Sequence, residues 1–251
     1  AERVLAIDPR QADALVGLAR SCVRVGNPAR LAGDFGKAHD FFARAVGAST
    51  RLVEAHPGLE AAWDTHAMSL NTLWWLLYTE FREGNEARIL DLCDEMLHAL
   101  EAEERIAPTT AARAARLSFR INRTSIAVEF GRIEPAEAEA TVTALAGEIA
   151  AMSDAEPELG LLRIRRREAY LNMGETLAWL ATAADARGEA TEAARLAERA
   201  SEAYATCAAV QRDRMERGEE VFDRERQLLD YAIERSDAMG RYARERRGTP
   251  D

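Results

Sequence analysis

The residue types that do chemistry are present in this chain, but not in reacting patterns. Asp34-Phe35-Gly36 spells a magnesium-holding triplet known from phosphoryl transfer. No Gly-rich loop, Val-Ala-Ile-Lys or His-Arg-Asp precedes it, and it falls where a turn is expected, so the triplet reads as a helix start. The histidines are His39, His56, His66 and His98, and none forms His-Glu-x-x-His or an i, i+4 ligand pair. Cys93 and His98 share one helix but point away from each other, so a nucleophilic dyad would need a partner from elsewhere. There is no Gly-x-x-x-x-Gly-Lys phosphate loop. The sequence therefore predicts no catalytic residue, no metal site and no cofactor in this segment.

Polar rows are the alternative. Asn71, Asn122 and Asn172 recur at spacings of 51 and 50, each 14 or 15 residues after a proline. Asn is a mediocre helix former, so three in register call for a reason. One is a bond between helices. The other is a ladder for a bound peptide, since a carboxamide both donates and accepts. Asp64, Trp75 and Tyr78 share the face of Asn71, while Ser118, Ser125 and Glu129 share that of Asn122. A second row, Arg113, Arg116, Arg120 and Arg123, runs along one helix face. Such a stripe is either neutralised by acids of a neighbouring helix or attracts an acidic partner. Arg163, Arg165, Arg166 and Arg167 scatter round their helix and read as solvated surface. Trp63, Trp74, Leu70, Leu77 and Phe81 share a face and read as core.

The elements that position these rows are helices. Of 251 residues 50 are Ala, Arg outnumbers Lys 32 to 1, and Gly and Pro number only 15 and 7. That composition favours helix and excludes collagen-like or Gly/Pro-rich disorder. A net charge of −10 argues against nucleic-acid binding by this segment. Three widely separated cysteines, Cys22, Cys93 and Cys207, suit a reducing cytoplasm. The longest apolar run, Leu73–Tyr78, is far too short to span a bilayer. Prolines at 9, 57, 108 and 157 alternate with Gly33-Asp34, Gly84-Asn85, Gly131-Arg132 and Gly188-Glu189. Glycine stops a helix, the next polar residue caps the following one, and proline marks the other end. The punctuation predicts helices near 1–7, 11–25, 34–55, 59–82, 86–105, 109–130, 135–153, 158–187, 189–216 and 221–246. Residues 27–33, around Pro28, are expected to be an irregular insertion. The last helix carries Val221, Phe222, Leu228, Leu229, Ala232 and Ile233, which suits a cap. Ala1 opens within a helical pattern, as in a piece of a longer chain.

Five, nine and twelve residues after the turn glycines come Ala38, Phe42, Ala45; Ile89, Cys93, Met96; Ala136, Ala140, Thr143; and Ala193, Ala197, Ala200. Gly33 to Ala45, Leu177 to Ala200, and Ile7-Asp8-Pro9 with Leu15, Leu18, Ala19 and Gly26 resemble tetratricopeptide repeats. Residues 1–210 carry the resemblance, with a period near fifty. It implies one all-α domain, 1–251: an α-solenoid of antiparallel hairpins with a capping helix and charged tail at 221–251. The first helices would line a concave face that takes an extended peptide or a partner helix. The segments Leu5–Arg10, Val23–Pro28, Gly33–Ala38 and Ala67–Asn71 further resemble the repeat regions that follow bacterial serine/threonine protein kinases and winged-helix regulators. The expected work is a non-catalytic protein–protein interaction module in a signalling protein, with no membrane contact. A homodimerisation element and a small-ligand-sensing helical domain remain the alternatives.

Overall fold

The computed structural model of the chain describes residues 2–5, 8, 10–219 and 223–248. Among the described residues there are ten helices and no strand, so the chain is all-α. The helices are α1 Glu2–Leu5, α2 Ala12–Leu31, α3 Phe35–Ala55, α4 Glu60–Glu80, α5 Glu86–Ile106, α6 Thr110–Glu129, α7 Pro135–Ala155, α8 Gly160–Ala186, α9 Ala190–Glu216 and α10 Asp223–Arg247. Pro9, Val221 and Phe222 lie outside the described residues.

The stops are glycines, as the sequence requires. Gly33, Gly84, Gly131 and Gly188 all have φ between 63° and 79°, a region that side chains with a Cβ disfavour. At Gly33 the glycine amide donates to the Arg30 carbonyl and the Asp34 amide to that of Ala29. The same pair of bonds closes helices at Gly131 and Gly188. This arrangement satisfies carbonyls that the helix end would leave bare. Asp34 then caps α3, its carboxylate accepting from the Lys37 amide at 3.2 Å. Gly218, which the repeat spacing does not single out, makes the same turn between α9 and α10.

One boundary differs. The irregular segment expected at 27–33 is helical through Leu31, with Pro28 inside α2. Proline removes one amide, yet it sits in the last turn, where the helix is about to end. Gly26 is buried there because the Phe42 ring of α3 fills the space of its missing side chain: a Cβ would lie 2.5 Å from the ring.

The internal contacts group the chain into two compact units, residues 1–116 and 117–251. In the first, α2 packs on α3, α3 on α4 and α4 on α5, and α4 also touches α2. Leu15, Leu52, Val53 and Ala62 form one apolar cluster, and Cys22, Val23 and Ala45 another. Leu70, Trp74 and Leu77 are buried as expected, but Phe81 is 37% exposed at the helix end, edge-on to Phe35. In the second unit, α7 packs on α8, α8 on α9 and α9 on α10. Its core joins Leu117, Ile121, Val142, Ile149, Leu177, Leu196 and Tyr204 with many alanines. Gly174 of α8 admits the Tyr204 ring of α9 as Gly26 admits Phe42, with a Cβ there 2.9 Å from the ring.

Gly174→Ala should therefore lower the denaturant midpoint, costing about 1–3 kcal/mol through overpacking. Gly147→Ala in α7, where nothing lies within 4 Å of an added Cβ, should instead stabilise by about 0.5–1 kcal/mol. Urea unfolding of the two variants beside the parent chain checks both signs.

Candidate functional site

In unit 1, Asp64, Asn71, Trp75 and Tyr78 lie one or two turns apart on α4. Asp64, Asn71 and Trp75 are exposed and Tyr78 is half-buried. Trp75 is 37% exposed. Tyr78 stacks on buried Trp74 with ring centroids 5.5 Å apart and nearly parallel planes. Asp64 stands 3.8 Å from Arg20 of α2, a solvent-exposed pair.

In unit 2, the second and third asparagines come onto neighbouring helices. Ser125 of α6, one turn beyond Asn122, hydrogen-bonds to the Thr176 hydroxyl of α8 at 2.6 Å and lies 3.4 Å from the Asn172 carbonyl. Asn122, Ser125 and Asn172 are all half-buried. Along α8, Leu161, Arg165, Glu168, Asn172, Glu175 and Trp179 follow one another at helical spacing on the accessible side, with Trp179 48% exposed. Ser118 is a correction: it is only 6% exposed, because its position on α6 turns toward the packed side, so it is not available to a peptide.

The arginine stripe of α6 divides. Arg116 pairs with Glu104 of α5 at 2.5 Å, the neutralisation a neighbouring helix was expected to supply. Arg113 and Arg123 are not free cations either. Arg113 and Arg120 are exposed, whereas Arg123 is half-buried.

The second basic cluster is not solvated surface. Arg163 bonds Glu219 and the Pro157 carbonyl, Arg166 bonds Asp154 at 2.5 Å, and Arg165 bonds Glu168 at 2.8 Å. Arg167 is buried and donates to Gln211 of α9 at 3.0 Å. Gln211 also accepts from Arg214, which is 3% exposed and bonds Glu219 at 2.9 Å. Sequence spacing missed this network because its partners are some 44 to 56 residues apart. Burial opposes charge on Glu219, but the bonds from Arg214 and Arg163 outweigh it and hold its carboxyl below the ordinary value. Beside the network, Arg163, Arg166, Arg217, Asp154 and Asp213 line an open cleft of about 340 Å³ that has no tryptophan in its wall.

A buried Ser–His pair also escaped the sequence reading. Ser49 Oγ lies 3.0 Å from His66 Nδ1, joining α3 to α4, and the same hydroxyl donates to the Val46 carbonyl at 3.0 Å. With that proton committed and Ser49 fully buried, the contact is packing rather than a poised nucleophile. Burial lowers the His66 pKa, with Glu95 partly opposing and His98 adding to the depression. Cys22, Cys93 and Cys207 are buried. Among the described residues, no group of three or more His, Cys, Asp or Glu is placed to hold a metal, and no helix is long and apolar enough to cross a membrane.

No family model matches the chain, and no characterised protein matches it in sequence.

Two outcomes follow from the buried groups. Glu219→Gln should cost about 3 kcal/mol in urea unfolding, since it strips a charge partner from buried Arg214. For His66 the folded pKa lies below the unfolded one, so its contribution is whole above about pH 6.5 and is lost as pH falls through the folded value. A fluorescence-monitored unfolding series between pH 7.5 and 5.5 should lose stability in the parent chain and show a shallower slope in His66→Gln.

Proposed function

We propose that this chain is a non-catalytic interaction module that binds an extended peptide or partner helix along its Asn-bearing helices. In this reading the hairpins of each unit stack as a tetratricopeptide-like array. The chain serves as the regulatory part of a bacterial cytoplasmic signalling protein. The observation that carries the reading is the α6–α8 contact. Ser125 and Thr176 tie the two helices together at the level of Asn122 and Asn172. Both carboxamides thus sit on a half-buried seam with exposed Trp179 farther along the same face. A peptide backbone in extended form offers alternating donors and acceptors, and an asparagine side chain answers both. Within the second unit, exposed Trp179 supplies a flat apolar surface of the kind that peptide sites use as an anchor. Acidic composition, −10 overall, favours neutral or basic partners.

Panning a random peptide library against the full chain tests this. Each carboxamide–backbone hydrogen bond contributes about 0.5–1.5 kcal/mol, so Asn122→Ala/Asn172→Ala should weaken the recovered peptides about tenfold or more by calorimetry. The melting temperature should not move. Equal affinity for parent and variant, or a variant that melts well below the parent, would mean that the asparagines serve packing instead.

A further inference from the structure

α10 is fastened to its unit by ions and hydroxyls as well as by apolar contacts. Arg246 forks onto Asp185 of α8, with both nitrogens 2.7 Å from a carboxylate oxygen. Arg247 pairs with Glu198 of α9. Tyr231 donates to Glu175 of α8, and Arg235 lies 3.9 Å from that same carboxylate. The Arg235 guanidinium also sits 5.5 Å above the Tyr204 ring. Ser201 of α9 donates to the Ser236 carbonyl at 2.8 Å, and Ser236 returns the bond at 2.9 Å.

The apolar part of this interface is made by few side chains: Leu229 packs by Cys207, and Met239 and Tyr242 lie half-buried against the core. Among the described side chains of α10, only Ala232 and Ala243 are buried, while Ile233 and Tyr231 are exposed. α9, by contrast, buries Leu196, Tyr204, Cys207 and a run of alanines. Small residues Ala232, Ser236, Gly240 and Ala243 let α10 lie close to α9; a Cβ at Gly240 would stand 3.5 Å from the Ser201 hydroxyl. The surface beneath is acidic at three places where α10 is basic: Glu175, Asp185 and Glu198 meet Arg235, Arg246 and Arg247. Exposed pairs of this kind are individually weak and are screened by salt.

We propose that the α8–α9 surface under α10 is a docking surface for a basic amphipathic helix with a small-residue stripe, and that α10 occupies it in cis as the competitor of such a helix. Tethering gives α10 a high effective concentration, so a helix in trans gains the surface only when the arginine fasteners are loosened. Charge complementarity selects the incoming partner: cations spaced to reach Glu175, Asp185 and Glu198, with no bulky side chain facing α9. This surface borders the asparagine row at Glu175, one turn beyond Asn172, but does not depend on what binds there.

Cys207 reports on the exchange. It is buried against Ala208 and against Ala232 and Leu229 of α10, and burial pushes its thiol pKa up to about 11. Cys22 and Cys93 belong to the other unit and serve as internal controls. The full chain is treated with N-ethylmaleimide, and labelling at each cysteine is followed by peptide mass spectrometry. In Arg246→Glu/Arg247→Glu, Cys207 should label at least tenfold faster than in the parent, with Cys22 and Cys93 unchanged. A fluorescein-labelled synthetic peptide of residues 223–247 should bind this variant at least tenfold more tightly than it binds the parent. Charge exchange, Asp185→Arg with Arg246→Glu, should restore Cys207 protection. Unchanged Cys207 labelling, labelling that rises equally at all three cysteines, peptide affinity equal for parent and variant, or no restoration on charge exchange would each overturn the proposal.

Discussion

A helix of twenty or more residues with one apolar face must cover that face, and here the chain covers it with the helix that comes next. Left-handed glycines make this possible. Gly33, Gly131, Gly188 and Gly218 reverse the chain within two or three residues and satisfy carbonyls that the helix leaves behind. The second half of the device is side-chain size. Alanines dominate the buried faces, and Gly26 and Gly174 each make room for an aromatic ring from the next helix. Close backbones of this kind gain dispersion contacts without large side chains. The core of each unit is therefore a sequence of local contacts, and the polar residues left outside that packing fall into rows.

Second-order contacts give the rows their register. In unit 2, Ser125 meets Thr176 across 51 positions, and Glu139 of α7 holds Arg195 and Arg199 of α9 across 56 and 60. Glu175 and Asp185 of α8 reach α10 across 56 and 61. Even-numbered helices thus touch even-numbered ones through hydroxyls and ion pairs, and odd touch odd. Most of these pairs are partly exposed, so they position more than they stabilise. The Arg167–Gln211–Arg214–Glu219 network is different. Arg167, Gln211 and Arg214 are buried and Glu219 is half-buried, so removing the carboxylate leaves a buried charge with less compensation.

The helical class, the stops and most helix limits were legible because they are local. A glycine followed by a polar residue states a turn within the turn itself, and Asp34 shows the cap the kinase-like triplet only imitates. Pro28 was misread because proline is a helix breaker in general and a tolerated residue in a final turn. Arg163–Arg167 were misread for a different reason. The partners of Arg167 and Arg163 lie on α9 and in the turn after it, and no periodicity of α8 announces Gln211 or Glu219. The same holds for Ser49 and His66. The asparagine spacing located three positions, but it could not assign Ser118 to the packed side or attach Ser125 to Thr176.

The central functional claim is that the asparagine-bearing seam is where a partner lies. The side-chain amide signals of Asn71, Asn122 and Asn172, followed by nuclear magnetic resonance while a selected peptide is titrated in, test it most directly. The account predicts that the Asn122 and Asn172 signals shift in a saturable way together with the Trp179 indole, while the α7 and α9 resonances around Glu139 and Arg195 stay in place. Saturable shifts confined to α7 and α9, with all three asparagine amides unmoved, would contradict it.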